Sequence, residues 1–221
     1  MKVFIIGIAG RTGLRIAKEL KRQGADVDGL YRREEQGRIL NEQGITAQLG
    51  DIVAMNVEQM AELLRGSDVV VFTAGAGGKD TDAATDMIDG MGVSKTIAAA
   101  RPAGTRRFYL VSVFPEAWRD RHMDGSFENY ISVKKRADIE LTRSDLDWVI
   151  LRPSALRDEP GVGTVSLNVA NIHTEIRRDD VAATMVELIK TPRIKNTILE
   201  LTEGATPIAE AVAFIGRRLA R

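Results

Sequence analysis

The fold turns on one stretch near the start of the chain: Lys2-Val3-Phe4-Ile5-Ile6-Gly7-Ile8-Ala9-Gly10-Arg11-Thr12-Gly13-Leu14. Lys2 to Gly7 is a nearly unbroken apolar run rich in β-branched side chains, the pattern of a parallel strand covered on both faces. Arg11 to Gln23 carries Leu14, Ile16, Ala17 and Leu20 at helical spacing, and Gly24 stops that helix. Between the two lies Gly7-x-x-Gly10-x-x-Gly13, with Ala9, Arg11 and Thr12 in the gaps. Glycine at such positions permits a tight turn and lets the backbone approach a bulky anion. The following helix presents free N–H groups and a partial positive charge, and Thr12 adds a hydroxyl donor. Strand, glycine turn and helix in that order describe a cradle for the pyrophosphate of a nucleotide.

Working outward, strands and helices alternate to the end of the chain. Strands are expected at Val27 to Arg32, Ala47 to Gly50, Asp68 to Thr73, Arg107 to Ser112, Trp148 to Arg152 and Thr197 to Leu201. Helices are expected at Val57 to Leu64, Asp82 to Ala100, Glu128 to Arg143, Asp179 to Ile189 and Ile208 to Leu219. This rhythm predicts an α/β fold: a mostly parallel sheet with helices on both faces and right-handed crossovers. Residues 1–221 are expected to form one domain. Two stretches break the rhythm, 114–127 and 156–175. Both follow strands of the second half at their C-terminal ends, where open α/β sheets bind ligands, so both are expected to wall a substrate site.

Composition narrows the function. The 221 residues are 44% hydrophobic and 28% charged, ordinary for a globular chain, and Lys+Arg equals Asp+Glu at 31 each. A dedicated nucleic-acid binder would show a basic excess, so no nucleic-acid partner is expected. No cysteine is present, which removes a thiol nucleophile, a disulfide scaffold and a thiolate metal site. The two histidines, His122 and His173, lie far apart without acidic neighbours at ligand spacing, so no metal is expected. Val3 to Ala9 is too short to span a membrane and runs into a charged helix rather than a cleavage site. The expectation is a cytoplasmic protein, monomer or homodimer, with no membrane partner and a small-molecule substrate.

Gly75-Ala76-Gly77-Gly78-Lys79 resembles a P-loop superficially. That motif needs glycine five residues before the Gly-Lys pair and Ser or Thr after it, and Thr73 and Asp80 stand there instead. The end of the second strand, Leu30-Tyr31-Arg32-Arg33, favours NADP over NAD, because arginine pairs with a 2′-phosphate where an acid would repel it. Arg11 is expected to help. Asp28 would argue the opposite, but Gly29, Leu30 and Tyr31 continue the strand past it. The reactive constellation is Ser112, Tyr130 and Lys134. Tyr130 and Lys134 are four residues apart on a helix and share a face. A neighbouring ammonium lowers a phenol's pKa, so the pair can shuttle a proton to or from a carbonyl or alcohol. Ser112, at the end of the fifth strand, is placed to hold the substrate oxygen. Phe114, Trp118, His122, Met123 and Phe127 suggest a partly apolar pocket.

With these motifs in order, the whole chain resembles an atypical short-chain dehydrogenase/reductase of the NAD(P)H-binding, NmrA-like and epimerase/dehydratase-like kind. The resemblance rests on Gly7 to Gly13, Leu30 to Arg32, Gly50 to Ile52, Phe72 to Gly77, Arg107 to Ser112, Tyr130 to Lys134, Leu151 to Pro153 and Arg178 to Ala182. It implies a Rossmann-like doubly wound sheet of seven strands, ordered 3-2-1-4-5-6-7, with a small C-terminal substrate region. It implies that Asp51 and Ile52 border the adenine, that Thr73, Ala74 and Gly75 run along the cofactor, that Pro153 lies beside the nicotinamide, and that Lys134 also holds the nicotinamide ribose. The asparagine that completes the catalytic tetrad elsewhere has no clear counterpart; Asp86 and Asp89 occupy that helix. The expected activity is an NADP-dependent oxidoreductase acting on a small carbonyl or quinone-like substrate. The alternatives are an NADP(H)-sensing regulator without turnover and a sugar-nucleotide epimerase or dehydratase, for which 156–175 is short.

Overall fold

The computed structural model describes residues 1–76, 81–118, 121 and 123–219. Strand β1 (Lys2–Ile6) is the centre of the sheet because both its faces are apolar. Val3 and Ile5 pack into one core layer and Phe4 and Ile6 into the other, as the two-residue period of a strand requires. On the first face lie α1 (Arg11–Arg22), α2 (Glu34–Glu42), α7 (Arg178–Lys190) and α8 (Ile208–Arg218). On the second lie α3 (Val57–Leu64), α5 (Gly92–Ala100) and α6 (Gly125–Thr142).

β1 pairs in parallel with β2 (Asp26–Tyr31) on one side and β4 (Val69–Phe72) on the other. The parallel series continues through β3 (Gln48–Leu49) at one edge and through β5 (Arg107–Val111), β6 (Asp147–Pro153) and β10 (Thr197–Glu203) at the other. Seven parallel strands therefore stand in the expected 3-2-1-4-5-6-7 order. The fold is the Rossmann-like doubly wound α/β class.

The strand count needs correction. β8 (Thr164–Asn168) joins β10 antiparallel and β11 (Thr206–Pro207) joins β8, giving a nine-stranded sheet. β7 (Ala155–Arg157) and β9 (Glu175–Arg177) form a separate parallel pair. The segment 156–175, expected as loop, thus contributes to three strands, one of which extends the sheet beyond β10. Its alternation, Val165 and Leu167 buried between half-buried neighbours, is the period of a strand with one face in the core. α2 was not expected at all: Leu40 is buried but Ile39 is 48% exposed, so it shows no apolar stripe.

The long helix expected over 82–100 is interrupted. α4 (Asp82–Thr85) passes into a π-helical segment, Asp86–Met91, before α5 begins. Such widened turns re-aim side chains and recur at functional sites.

Candidate active site

The chain emerges from β1 into the glycine turn with Gly7 at φ +84°, the left-handed region that suits glycine. A Cβ on Gly7 would lie 2.7 Å from the Ala74 nitrogen. One on Gly13 would lie 2.3 Å from the Gly7 carbonyl oxygen and 2.7 Å from Thr73 Oγ1. These two glycines therefore let α1 and the β4 connection close on the turn. Thr73 Oγ1 donates to the Ile6 carbonyl at 3.0 Å, tying the strand ends together. Gly10 caps α1 without a side chain, and no acid stands in the first turn, so its N–H groups stay open to an anion.

Two cavities meet at this turn. The first, about 300 Å³, is lined by Gly7, Ala9, Gly10, Arg32, Arg33, Asp51, Ile52, Thr73, Ala74 and Gly75 among others. The second, about 660 Å³, is lined by Gly10, Arg11, Thr12, Thr73, Ala74, Gly75, Ser112, Tyr130 and Lys134 among others. Gly10, Thr73, Ala74 and Gly75 border both, so the two are ends of one trough. Of the cofactor and catalytic residues singled out from sequence, all but Gly13 and Pro153 lie along it.

Three placements differ from expectation. Arg11 borders the second cavity and donates to Asp158 Oδ2 at 2.7 Å, so its side chain stands apart from Arg32 and Arg33. Pro153 ends β6, is buried, and lines neither cavity. Of the apolar residues expected around the substrate, Met123 and Phe127 line the second cavity. Phe114 and Trp118 instead pack edge-on against His173, at 5.2 and 5.1 Å between ring centroids. His122, and Gly77, Gly78, Lys79 and Asp80 of the P-loop-like stretch, lie outside the described residues.

At the first cavity, Arg32 has no ion-pair partner among the described residues, whereas Arg33 is paired with Glu35 at 2.6 Å. Asp28 is mid-strand, as expected, and turns away: it accepts from the Gly29 N–H at 2.7 Å and from Gln48 at 3.1 Å. The Asp51 and Ile52 wall is held by Lys95, whose ammonium donates to the carbonyls of Ile52, Val53 and Met55. Nothing in the sequence marked Lys95, because its partners are backbone.

At the second cavity, Lys134 is 3% exposed. Its ammonium donates to the Val111 carbonyl at 3.1 Å and lies 3.5 Å from Asp89 Oδ1. The other Asp89 oxygen accepts from the Ala76 N–H at 2.9 Å. Asp89, set by the π segment, thus ties the lysine to the Gly75–Ala76 backbone. Burial opposes the charge on Lys134, but Asp89, Tyr130 and Asp138 outweigh it and hold the ammonium above its ordinary pKa. Tyr130 departs from expectation. Burial pushes its phenol up, and the pull of Lys134 in the opposite direction is the smaller effect. The phenol therefore stays protonated. Asp138, one turn beyond Lys134, is raised by burial, against which the Ser112 hydroxyl and Arg152 work. Arg152 donates to Asp138 Oδ2 at 2.9 and 3.0 Å, leaving Asp138 Oδ1 and Ser112 Oγ buried without a well-formed hydrogen bond. Among the described residues no group of three or more His, Asp or Glu could hold a metal ion, and no helix is long and apolar enough to cross a membrane.

A glycine cradle at a helix N-terminus and, at the end of β2, an arginine with no ion-pair partner among the described residues fit a dinucleotide along the trough. Fold and trough define a dinucleotide-binding protein of the short-chain dehydrogenase/reductase type. The chain belongs to the NAD(P)H-binding family, whose sequence profile matches residues 7–192. It is 37% identical over 214 residues to the uncharacterized sugar epimerase YhfK of Bacillus subtilis (strain 168), covering 96% of this chain and 99% of that protein. A solved Bacillus halodurans protein, a candidate NAD-dependent epimerase/dehydratase, superposes with a TM-score of 0.88 at 32% identity, covering 97% of this chain and 99% of that one. The oxidoreductase ylbE of Lactococcus lactis superposes with a TM-score of 0.84 at 30% identity, covering 97% and 96%. The family is thus NAD(P)H-binding and oxidoreductase- or epimerase-like.

Proposed function

We propose that the chain is an NADP(H)-dependent oxidoreductase that reduces a small carbonyl or quinone-like substrate in the second cavity. The observation that carries this reading is the sharing of one cavity wall by Ser112, Tyr130 and Lys134, continuous with the glycine turn. NADPH, when bound, supplies the hydride. The open N–H groups of α1 would hold the pyrophosphate, Arg32 would pair with the 2′-phosphate, and Asp51 and Ile52 would border the adenine.

Tyr130, kept protonated by its burial, is the proton donor to the substrate oxygen. Lys134, kept charged by Asp89, stabilises the phenolate left after that transfer and would also hold the ribose of a bound cofactor. Ser112, whose buried hydroxyl interacts with Asp138 without a well-formed hydrogen bond, is the group proposed to hold the same substrate oxygen. Phe127 and Met123 give that cavity an apolar side.

The name of the 37%-identical relative favours a second reading, a sugar epimerase. The two separate by stoichiometry: a reductase consumes NADPH with each turnover, and an epimerase interconverts substrates without net consumption. The test is NADPH oxidation across a panel of carbonyls and quinones. Tyr130→Phe should lower the rate by about 10²–10⁴-fold, with the melting temperature nearly unchanged because the ring preserves the packing. Turnover that survives this substitution rejects Tyr130 as the acid. No turnover at all, with NADPH instead altering binding to a protein partner, would replace the enzyme by a sensor.

A further inference from the structure

Arg178 is the first residue of α7 and borders the second cavity, yet its side chain is only 9% exposed. A buried cation at a helix N-terminus is opposed by the positive end of the helix. Burial and the Arg11 guanidinium also disfavour its charge. Such a group requires an anion. In the structure that anion is Asp158 at 2.9 Å, a side chain 46% exposed. The same carboxylate also takes Arg11 at 2.7 Å and Arg15 at 3.5 Å. Arg15 has a second acid, Asp179, at 2.7 Å. Arg11 and Arg178 have no other acid among the described residues. The remaining recorded bond of Arg178 goes to the Leu156 carbonyl at 3.4 Å, so several of its five N–H donors are uncommitted.

We infer that this end of the second cavity binds a carboxylate on the substrate, with Arg178 and Arg11 as its anion-binding residues and Asp158 as the internal carboxylate it displaces. The inference rests on the catalytic use of the same cavity proposed above, and it names the substrate class: a small molecule with an apolar body, a reducible carbonyl and an acid group. Asp158 is itself 46% exposed and regains water when it leaves, while a ligand carboxylate in the cavity can engage the buried guanidinium in paired hydrogen bonds. Leu156, Met123 and Phe127 line the same cavity and suit an apolar body. Two acids on its wall are committed elsewhere, Asp89 to Lys134 and Asp124 to the Phe127 N–H at 2.8 Å. Asp82, in the first turn of α4, is the third acid on that wall.

The test is calorimetric titration of the chain with benzoate and with benzamide, its neutral counterpart, with and without saturating NADP⁺. Benzoate should bind at least about tenfold more tightly than benzamide. Arg178→Gln should erase that preference. Asp158→Asn should act with the opposite sign, tightening benzoate and leaving benzamide unchanged. If Arg178→Gln does not fold, Asp158→Asn decides alone. Equal binding of the two probes, weaker benzoate binding in Asp158→Asn, or displacement of benzoate by NADP⁺ would overturn the proposal, the last by assigning the arginines to the cofactor. Failure of the reductase reading appears separately, as absent NADPH turnover, and leaves the benzoate comparison intact.

Discussion

Lys134 is held by opposing forces that can be ranked. Removing an ammonium from water is costly, and here the cost is offset by the carboxylates of Asp89 and Asp138, the Val111 carbonyl and the neighbouring phenol. Tyr130 is ranked the other way, because desolvation of a phenolate exceeds the attraction of an ammonium already committed to Asp89. Both groups have a folded pKa above the ordinary values of 10.0 and 10.5. A group raised on folding contributes stability that is complete below its unfolded pKa and is lost as pH rises through the folded one. The protein should therefore lose thermal stability from about pH 10 upward. The decline should be steeper in wild type than in a Tyr130→Phe, Lys134→Met double variant, compared by melting temperature against pH. Parallel curves would show that the pair is not coupled to folding. The spacing of Tyr130 and Lys134 was legible in sequence because four residues make one helical turn. The direction of the phenol's shift was not, because it depends on burial supplied by segments distant in the chain.

At the scale of elements, the glycine turn works by proximity. α1 lies against the end of β4 because Gly13 has no side chain between Gly7 and Thr73. Gly13→Ala should force these backbones apart. The expected outcome is a stability loss of about 1–3 kcal/mol in denaturant unfolding together with loss of nucleotide binding. Gly125→Ala, at the start of α6 with nothing within 4 Å of the added carbon, is the control and should change neither. A Gly13→Ala protein that binds nucleotide normally would remove the turn from the site. The π segment over Asp86–Met91 is an element-scale feature of a different kind. Its sequence reads as ordinary helix, since a widened turn leaves no mark on apolar spacing. Its effect is seen only where Asp89 meets Lys134 and Ala76.

At the scale of the whole molecule, β1 lies between β2 and β4, so the chain leaves the sheet centre in opposite directions in its two halves. A crevice opens at that reversal, and the trough lies there. Arg32 lines one end and Tyr130 the other. Residues so separated should act independently. Arg32→Ala should weaken NADPH roughly 10- to 150-fold, the value of a charge-assisted contact to the 2′-phosphate, and leave NADH affinity unchanged. It should not alter the effect of Tyr130→Phe on turnover at saturating cofactor. Fluorescence titration of both nucleotides against both proteins checks this, and equal wild-type affinities for NADPH and NADH would reject the NADP assignment.

Local pattern sufficed for what local forces decide. The apolar run of β1, the glycine spacing after it and the strand–helix alternation specified a mostly parallel α/β sheet with helices on both faces, while the strand order came from the family resemblance. The tertiary structure alone decided how charges are partnered. Asp158 gathers Arg11, Arg15 and Arg178 from helices that begin far apart in sequence, and so turns Arg11 away from Arg32. Asp89 meets Lys134 through a helical irregularity, and Lys95 reaches three carbonyls on another loop. Val165 and Leu167 became part of a sheet strand because β10 offered an unpaired ladder. Periodicity records which face of an element is buried, but the partner of a charge or of a strand edge is chosen only when the chain brings them together.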